Sequence, residues 1–298
     1  LPSVGARLKE ITRRLADAGV PSPEADAVAL MAHTFKWEPG DVRTAAARDD
    51  HWPLDPLDHD LLEARVARRV SREPLQHITG KAFFRNIDLQ VGAGVFVPRP
   101  ETEIVAQAAI DAARAATPGK DGKVRVTDLC AGSGAIGLSI ADEVPNAEVS
   151  MVEASEGALV YLRINARGMR ADVRERTRTL LGDAKRCLHL FEGCADVVVS
   201  NPPYIPPDGV PRDVEVREYD PPEALYGMGE DGLDLPRAII DEAARLLRVG
   251  GTLIMEHAEN QGAALRAHCE RSEFWDGGRT EQDLTGRDRM LIVTRVGV

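Results

Sequence analysis

Four short segments carry residue types suited to group transfer. The most specific is Asn201-Pro202-Pro203-Tyr204. Consecutive prolines fix φ and remove backbone donors, so the carbonyls around them stay free to accept. The Asn201 side-chain oxygen adds an acceptor, and the Tyr204 ring supplies a flat apolar wall. Together they can hold an NH2 group by both hydrogens and aim its nitrogen at an electrophile. The second segment, Asp128-Leu129-Cys130-Ala131-Gly132-Ser133-Gly134-Ala135-Ile136-Gly137, ends one strand and opens a helix. Small residues let the backbone approach a ligand closely, and N–H groups at the helix start face it. Cys130 stands where the G-x-G-x-x-G dinucleotide fingerprint needs its first glycine, so the loop alone implies a nucleotide-like ligand or a structural turn. Glu153 follows about 20 residues later, where such sheets place a carboxylate that accepts from ribose hydroxyls, although a surface glutamate is equally ordinary. Last is Gly182-Asp183-Ala184, where a side chain can reach an adenine amino group or merely cap the next helix.

Strands and helices must bring these segments together, and the pattern supplies them. From Val124 onward, strands at 124–129, 147–152, 174–180, 195–200 and 251–256 alternate with helices at 135–143, 155–168 and 233–247. A helix near 261–271 and strands near Arg279 and at 290–296 complete the chain. Alternation of this kind predicts a doubly wound, mostly parallel α/β sheet of seven strands. The near-continuous apolar run Ala195–Ser200 fits its middle. A helix opening at Glu101 runs to about Ala116, followed by a loop over 117–122.

Residues 1–73 read differently, as a small helical bundle. Val4, Leu8, Ile11 and Leu15 recur at helical spacing before Gly19 stops the helix. Ser22 is expected to cap a second helix with Pro23 just inside it; a third spans 41–48. A break at Trp52-Pro53-Leu54-Asp55-Pro56 precedes a fourth through Leu62, Val66 and Val70. Phe83, Phe84, Ile87, Leu89 and Val91, with a turn near Arg85-Asn86, predict a β-hairpin in a linker over residues 74–98. The transfer chemistry then falls to residues 99–298.

Bulk properties narrow the function classes. Of 298 residues, 37 are basic and 48 acidic, a net charge of −11, which argues against a phosphate-gripping duplex DNA binder. Arg65, Arg68, Arg69 and Arg72 line one side of a helix, as a local basic patch or a solvated face. The longest apolar runs fall far short of the ~20 residues that span a bilayer. Arg7, Lys9, Arg13 and Arg14 interrupt the N-terminal apolar stretch, unlike a signal peptide. Cys130, Cys187, Cys194 and Cys269 have neither CxxC nor zinc spacing, so no disulfide and no metal are expected, and a cytoplasmic monomer is the default.

The glycine loop, Glu153 and Asn201-Pro202-Pro203-Tyr204 together resemble a class I S-adenosylmethionine-dependent methyltransferase of the amino-methylating type. More narrowly, the chain resembles the HemK/PrmC family, the N5-glutamine methyltransferases of peptide chain release factors. That match rests on residues 72–80 (Arg-Glu-Pro-Leu-Gln-His-Ile-Thr-Gly) and 96–103 (Phe-Val-Pro-Arg-Pro-Glu-Thr-Glu). It extends over 219–225 (Tyr-Asp-Pro-Pro-Glu-Ala-Leu) and 230–234 (Glu-Asp-Gly-Leu-Asp). The resemblance implies S-adenosylmethionine as cofactor, with S-adenosylhomocysteine as product. It implies that Cys130, Ala131, Gly132, Ser133 and Gly134 cradle the methionine part, Glu153 holds the ribose, and Asp183 or Ala184 lies beside the adenine. Asn201 binds the substrate amide, the Pro202 carbonyl takes its second hydrogen, Pro203 and Tyr204 complete the motif, and Phe96 walls the pocket near the methyl. Two positions depart from the family pattern: Cys130, where many relatives carry glycine, and Ala184, where many carry a bulky residue.

The implied substrate is the glutamine of the release factor's Gly-Gly-Gln loop, recognised through residues 1–73. An amide nitrogen is a poor nucleophile, so catalysis is mostly in-line positioning, with a proton lost to water or to Asn201 after transfer. No general base is evident in the motif. Two rivals keep the fold: an N5-glutamine methyltransferase of a ribosomal protein, and an adenine-N6 methyltransferase, which would want a basic cleft and base flipping. A non-catalytic protein that has kept the fold is a third.

Overall fold

The computed structural model of the protein describes residues 3–51, 55–186 and 192–297. The chain divides into two compact units: Leu1–Lys81 with Pro211–Tyr219, and Ala82–Val210 with Asp220–Val298.

The first unit packs four helices, α1 (Val4–Asp17), α2 (Pro23–Phe35), α3 (Pro39–Ala47) and α4 (Pro56–Val70), with a short α5 (Leu75–Thr79). Its core gathers Val4, Ile11 and Leu15 with Val28, Leu30, Met31, Val42, Leu62 and Val66. Gly19 takes φ 74° just beyond α1, the left-handed stop that glycine adopts without strain. Ser22 holds the N-cap position of α2 but makes no side-chain capping bond, so Pro23 and the acidic first turn carry that start. Asp55, by contrast, accepts from Leu57 N–H and caps α4; the rest of the preceding break, 52–54, lies outside the described residues, as does Cys187.

The arginines at the end of α4 form a solvated face only in part: Arg68 is exposed, whereas Arg69 and the following Arg72 are drawn into ion pairs. Arg69 is buried and donates to Asp26 at 2.7 Å and to Glu215 at 2.9 Å. Arg72 donates twice to the same Glu215, at 2.7 and 2.6 Å, and Arg68 grips Glu73. Glu215 sits on a helix the periodicity did not reveal, α10 (Val214–Tyr219), whose Tyr219 hydroxyl donates to the Ser71 carbonyl at 2.7 Å. Six residues flanked by loops give too short an apolar period to detect, and the partners are more than 140 positions away.

The second unit opens with the hairpin β1 (Lys81–Phe84) and β2 (Ile87–Gln90), followed by α6 (Thr102–Ala115). Its sheet then builds from β3 (Val124–Leu129), α7 (Ala135–Glu143), β4 (Ala147–Glu153), α8 (Glu156–Gly168) and α9 (Ala171–Glu175). β5 (Thr177–Leu181), β6 (Ala195–Ser200), α11 (Asp234–Leu246), β7 (Leu247–Glu256), α12 (Gly262–Glu270), β8 (Arg279–Gln282) and β9 (Asp288–Thr294) complete it. The strand expected from Arg174 begins instead at Thr177, because 171–175 is helical.

Strand order is β5-β4-β3-β6-β7-β9-β8, with β3 to β7 parallel and the β7–β9 and β9–β8 pairs antiparallel. Alternation sorts the two faces. Val126, Val149, Val197 and Ile254 pack with α6, α7 and α8, whereas Leu129, Val152, Val198 and Leu253 pack with α11 and α12. Chain order runs outward from β3 to β5, then restarts on β3's other side at β6. The strand-order reversal lies between β3 and β6, where open α/β sheets hold their ligands at the carboxyl ends.

Candidate active site

Register decides which side chains meet. Leu129 pairs with Val152 on one side and with Ser200 on the other, and Ser200 pairs with Met255. One residue further on, Cys130, Glu153, Asn201 and Glu256 therefore stand at one level at the carboxyl ends of their strands. The Ser200 hydroxyl donates to the Leu129 carbonyl at 2.7 Å and fastens the two central exits together.

The glycine loop is a left-handed turn held from three directions. Cys130, Gly132 and Gly134 have φ of 63°, 56° and 91°. The first explains why glycine suits position 130: a side chain there costs about 1–2 kcal/mol of local strain. Glu153 accepts from Gly132 N–H at 2.7 Å through one oxygen and from Ser155 N–H at 2.8 Å through the other. Asn165 of α8 donates to the Ser133 carbonyl at 2.9 Å and exchanges bonds with Gln90 of the hairpin. A Cβ on Gly132 would meet only open space, so the loop's outer side is accessible. Beneath it, Asp128 accepts from Gly137 N–H at 2.9 Å, while its other oxygen is buried without a partner among the described residues. Burial, reinforced by Glu153 and opposed by the Gly137 N–H, pushes Asp128 up to about 8. A cradle of backbone N–H groups with a carboxylate on the adjacent strand fits an aminoacyl-nucleoside such as S-adenosylmethionine.

The two adenine candidates diverge. Ala184 is buried against Leu129 and Val152. Asp183 turns back on its own loop, accepting from Lys185 N–H at 2.9 Å and facing its ammonium at 3.6 Å.

Close backbone packing holds the Asn-Pro-Pro-Tyr turn. Tyr204 and Ile205 N–H both donate to the Leu225 carbonyl, at 3.1 and 2.8 Å, and Gln261 donates to the Tyr204 carbonyl at 2.8 Å. A Cβ on Gly227 would stand 2.6 Å from the Pro203 carbonyl oxygen, and one on Gly232 2.5 Å from that of Tyr204. Both glycines are therefore demanded by close approach. Pro202 and Pro203 are buried, and the Asn201 amide donates to the Thr102 hydroxyl at 3.3 Å. Two segments separated in sequence also join: Arg99 binds the fully buried carboxylate of Asp220 at 2.6 Å and lies 5.2 Å over the half-buried Phe96 ring.

Motif reading missed one group. Glu256, 3% exposed at the end of β7, accepts from the Tyr204 hydroxyl at 3.2 Å. Burial pushes Glu256 up to about 7, opposed by the Thr102 hydroxyl, Arg289 and the Tyr204 hydroxyl. Burial and Glu256 in turn raise the Tyr204 phenol. The available signal was an acid closing the apolar run Leu253-Ile254-Met255, at the same strand end as the other site residues.

The chain matches the family model of the PrmC N-terminal domain over residues 7–80 and that of the methyltransferase small domain over residues 107–215. It is 44% identical to the release factor glutamine methyltransferase of Streptomyces coelicolor over 294 residues, 97% of each chain. Identity to that of Bifidobacterium longum is 41% over 293 residues, 96% of this chain and 97% of that protein. A 4-amino-L-phenylalanine/4-methylamino-L-phenylalanine methyltransferase of Streptomyces pristinaespiralis is 38% identical over 276 residues, 92% of this chain and 89% of that protein.

Proposed function

The chain belongs to the release factor glutamine methyltransferase family, and from that premise we propose that it methylates the side-chain amide nitrogen (N5) of a glutamine, that of the release factor's Gly-Gly-Gln loop. The observation that carries the reading is the pairing of Leu129 with Ser200, which sets Asn201-Pro202-Pro203-Tyr204 directly beside the glycine loop. A donor cradle and an amide-sized acceptor turn are thus adjacent.

Bound S-adenosylmethionine supplies a sulfonium methyl and leaves as S-adenosylhomocysteine. The residues of the chain do the rest by placement. Cys130 to Gly134 hold the methionine part, Glu153 the ribose, and Asp183 with Ala184 border the adenine. Asn201 Oδ1 and the Pro202 carbonyl accept the two N–H hydrogens of the glutamine amide, while Pro203, Tyr204 and Phe96 wall its side chain. Two acceptors turn the nitrogen towards the methyl and favour the positive charge that grows on it as the N–C bond forms. Water, or Asn201 Oδ1, then takes the proton the nitrogen sheds. Residues 1–73 recognise the protein substrate, 74–98 link, and 99–298 perform the transfer, in a cytoplasmic monomer. Among the described residues no helix is long and apolar enough to cross a membrane.

One observation favours a second acceptor class, an aromatic amine: the 38% identity to an enzyme named for 4-amino-L-phenylalanine. The deciding experiment incubates the protein and methyl-labelled S-adenosylmethionine with a release factor, the same factor with its loop glutamine changed to alanine, 4-amino-L-phenylalanine, and duplex DNA. Label on the intact factor alone is expected. Label on the free amine or on DNA would overturn the substrate assignment.

A further inference from the structure

A buried carboxylate beside a substrate-binding turn calls for a reason, since burial of an unpaired acid is costly. Glu256 is 3% exposed, and its Oε2 has no partner of ordinary hydrogen-bond length and angle among the described residues. Two hydroxyls converge on it. Tyr204 donates to Oε1 at 3.2 Å, and the Thr102 hydroxyl, at the start of α6, acts on the same carboxyl and lowers its pKa. Thr102 also accepts from Asn201 Nδ2 at 3.3 Å. The two polar ends of the Asn-Pro-Pro-Tyr turn thus share one anchor.

A hydroxyl has a single proton to give. If Thr102 directs it to Glu256, Thr102 can offer Asn201 only a lone pair. Asn201 must then turn its NH2 inward, leaving Oδ1 to face the acceptor pocket. We propose that Glu256 is a positioning residue that, in its ionised form, fixes the polarity of the Asn201 side chain through Thr102, while holding the Tyr204 ring directly. The proposal rests on the acceptor role given to Asn201 above. A protonated Glu256 would offer a hydrogen to Thr102, whose own hydrogen could then turn to Asn201. Asn201 would flip and present NH2 to a substrate NH2, donor against donor.

The groups facing Glu256 are consistent with a carboxylate that titrates in the working range. Tyr204 comes from the turn, Glu101 and Thr102 from the start of α6, and Arg289 from β9, itself held by Asp283 at 3.0 Å. His257 follows in the chain, its pKa lowered chiefly by burial.

The test needs one readout free of any protein substrate. In isotope-labelled protein, the Asn201 side-chain amide resonance can be identified by its loss in Asn201→Asp. It is expected to shift with pH around 7 in the wild type and to be indifferent to pH in Glu256→Gln. On a release factor, Glu256→Gln and Thr102→Val should each lower kcat about a hundredfold, the scale of a misplaced reacting group. Cofactor Kd and melting temperature should stay near wild type. The double variant should be no worse than either single one, and Thr102→Ser should restore activity. Wild-type kcat should rise with pH through about 7, and the Glu256→Gln profile should be flat. An Asn201 resonance insensitive to both pH and Glu256→Gln, or a Glu256→Gln enzyme with wild-type kcat and pH profile, would overturn the proposal. Absence of label on the release factor with the resonance behaving as expected would sink the substrate reading and leave the Glu256 role standing.

Discussion

The protein treats carboxylates withdrawn from solvent in opposite ways in its two units, half-buried and paired in one, fully buried in the other. In the helical unit, Glu215 is gripped by Arg72 and Arg69, which outweigh its burial and pull it down to about 2. Near the strand ends of the other unit, Asp128 and Glu256 are deeply buried, each with one oxygen that has no hydrogen-bond partner among the described residues, and burial carries them up to about 8 and about 7. Acids in the first unit hold a segment in place, and their charge is neutralised by design of the packing. Acids in the second stand beneath the two loops assigned to donor and acceptor. Raised, incompletely bonded acids close to the strand ends that carry both loops are the pattern expected of a working site, where local stability is given up for function.

The contrast can be broken at several points. The largest effect is expected from Asn201→Ala, which should lower kcat by about a thousandfold, by analogy with removal of a transition-state hydrogen bond. Its cofactor Kd should change little; equal loss of both, measured by single turnover and calorimetry, would mean that Asn201 serves the donor instead. Next comes Glu215→Ala. It leaves Arg69, 6% exposed at the side chain, with only part of its compensation. Breaking such a buried pair costs about 3 kcal/mol. Hydrogen exchange should accelerate across α4, and unchanged protection there would show that Glu215 is dispensable.

Acid and base should then act on the units with opposite sign. Glu215 is depressed in the fold, so its contribution is present above its unfolded pKa near 4.5 and lost as pH falls towards 2. Asp128 and Glu256 are raised, so their contribution is present below about 4 and lost as pH rises through about 7 to 8. Denaturant unfolding against pH should therefore show a limb that descends between about pH 4 and about pH 8 and levels off above it, and that Asp128→Asn flattens; an unaltered limb in that variant would refute the assignment. The smallest effect belongs to Cys130→Gly. Relief of the left-handed strain, offset by the entropy of a freer unfolded chain, should raise stability by about 0.5 kcal/mol. A melting temperature lower than wild type would show that the Cys130 side chain contributes more than its backbone strain costs.

Legibility followed distance along the chain. The glycine loop, Glu153 and the Asn-Pro-Pro-Tyr turn could be recognised because each is a contiguous run or sits at a fixed step from one. Helices α1 to α4 and the sheet strands β3, β4, β6 and β7 could be recognised because apolar periodicity repeats over several turns or pleats within them. Glu256 escaped because a single acid after three apolar residues has no period and no motif. The Arg69–Glu215–Arg72 cluster escaped because its members are more than 140 positions apart, and the arginines alone look like an exposed helix face.

The sequence by itself determined the alternation of strands and helices, the family, and the two motifs of donor and acceptor type, since all of these are written in local spacing. Only the tertiary structure decided that Cys130, Glu153, Asn201 and Glu256 stand at one level at the carboxyl ends of their strands. It also decided that the Tyr204 hydroxyl meets Glu256 and the Asn201 amide meets Thr102, and that the α10 helix following the acceptor turn folds with the N-terminal helices. The reason is physical: strand register and buried charge pairing are agreements between distant segments, and each takes its energy from a partner that the local sequence does not contain.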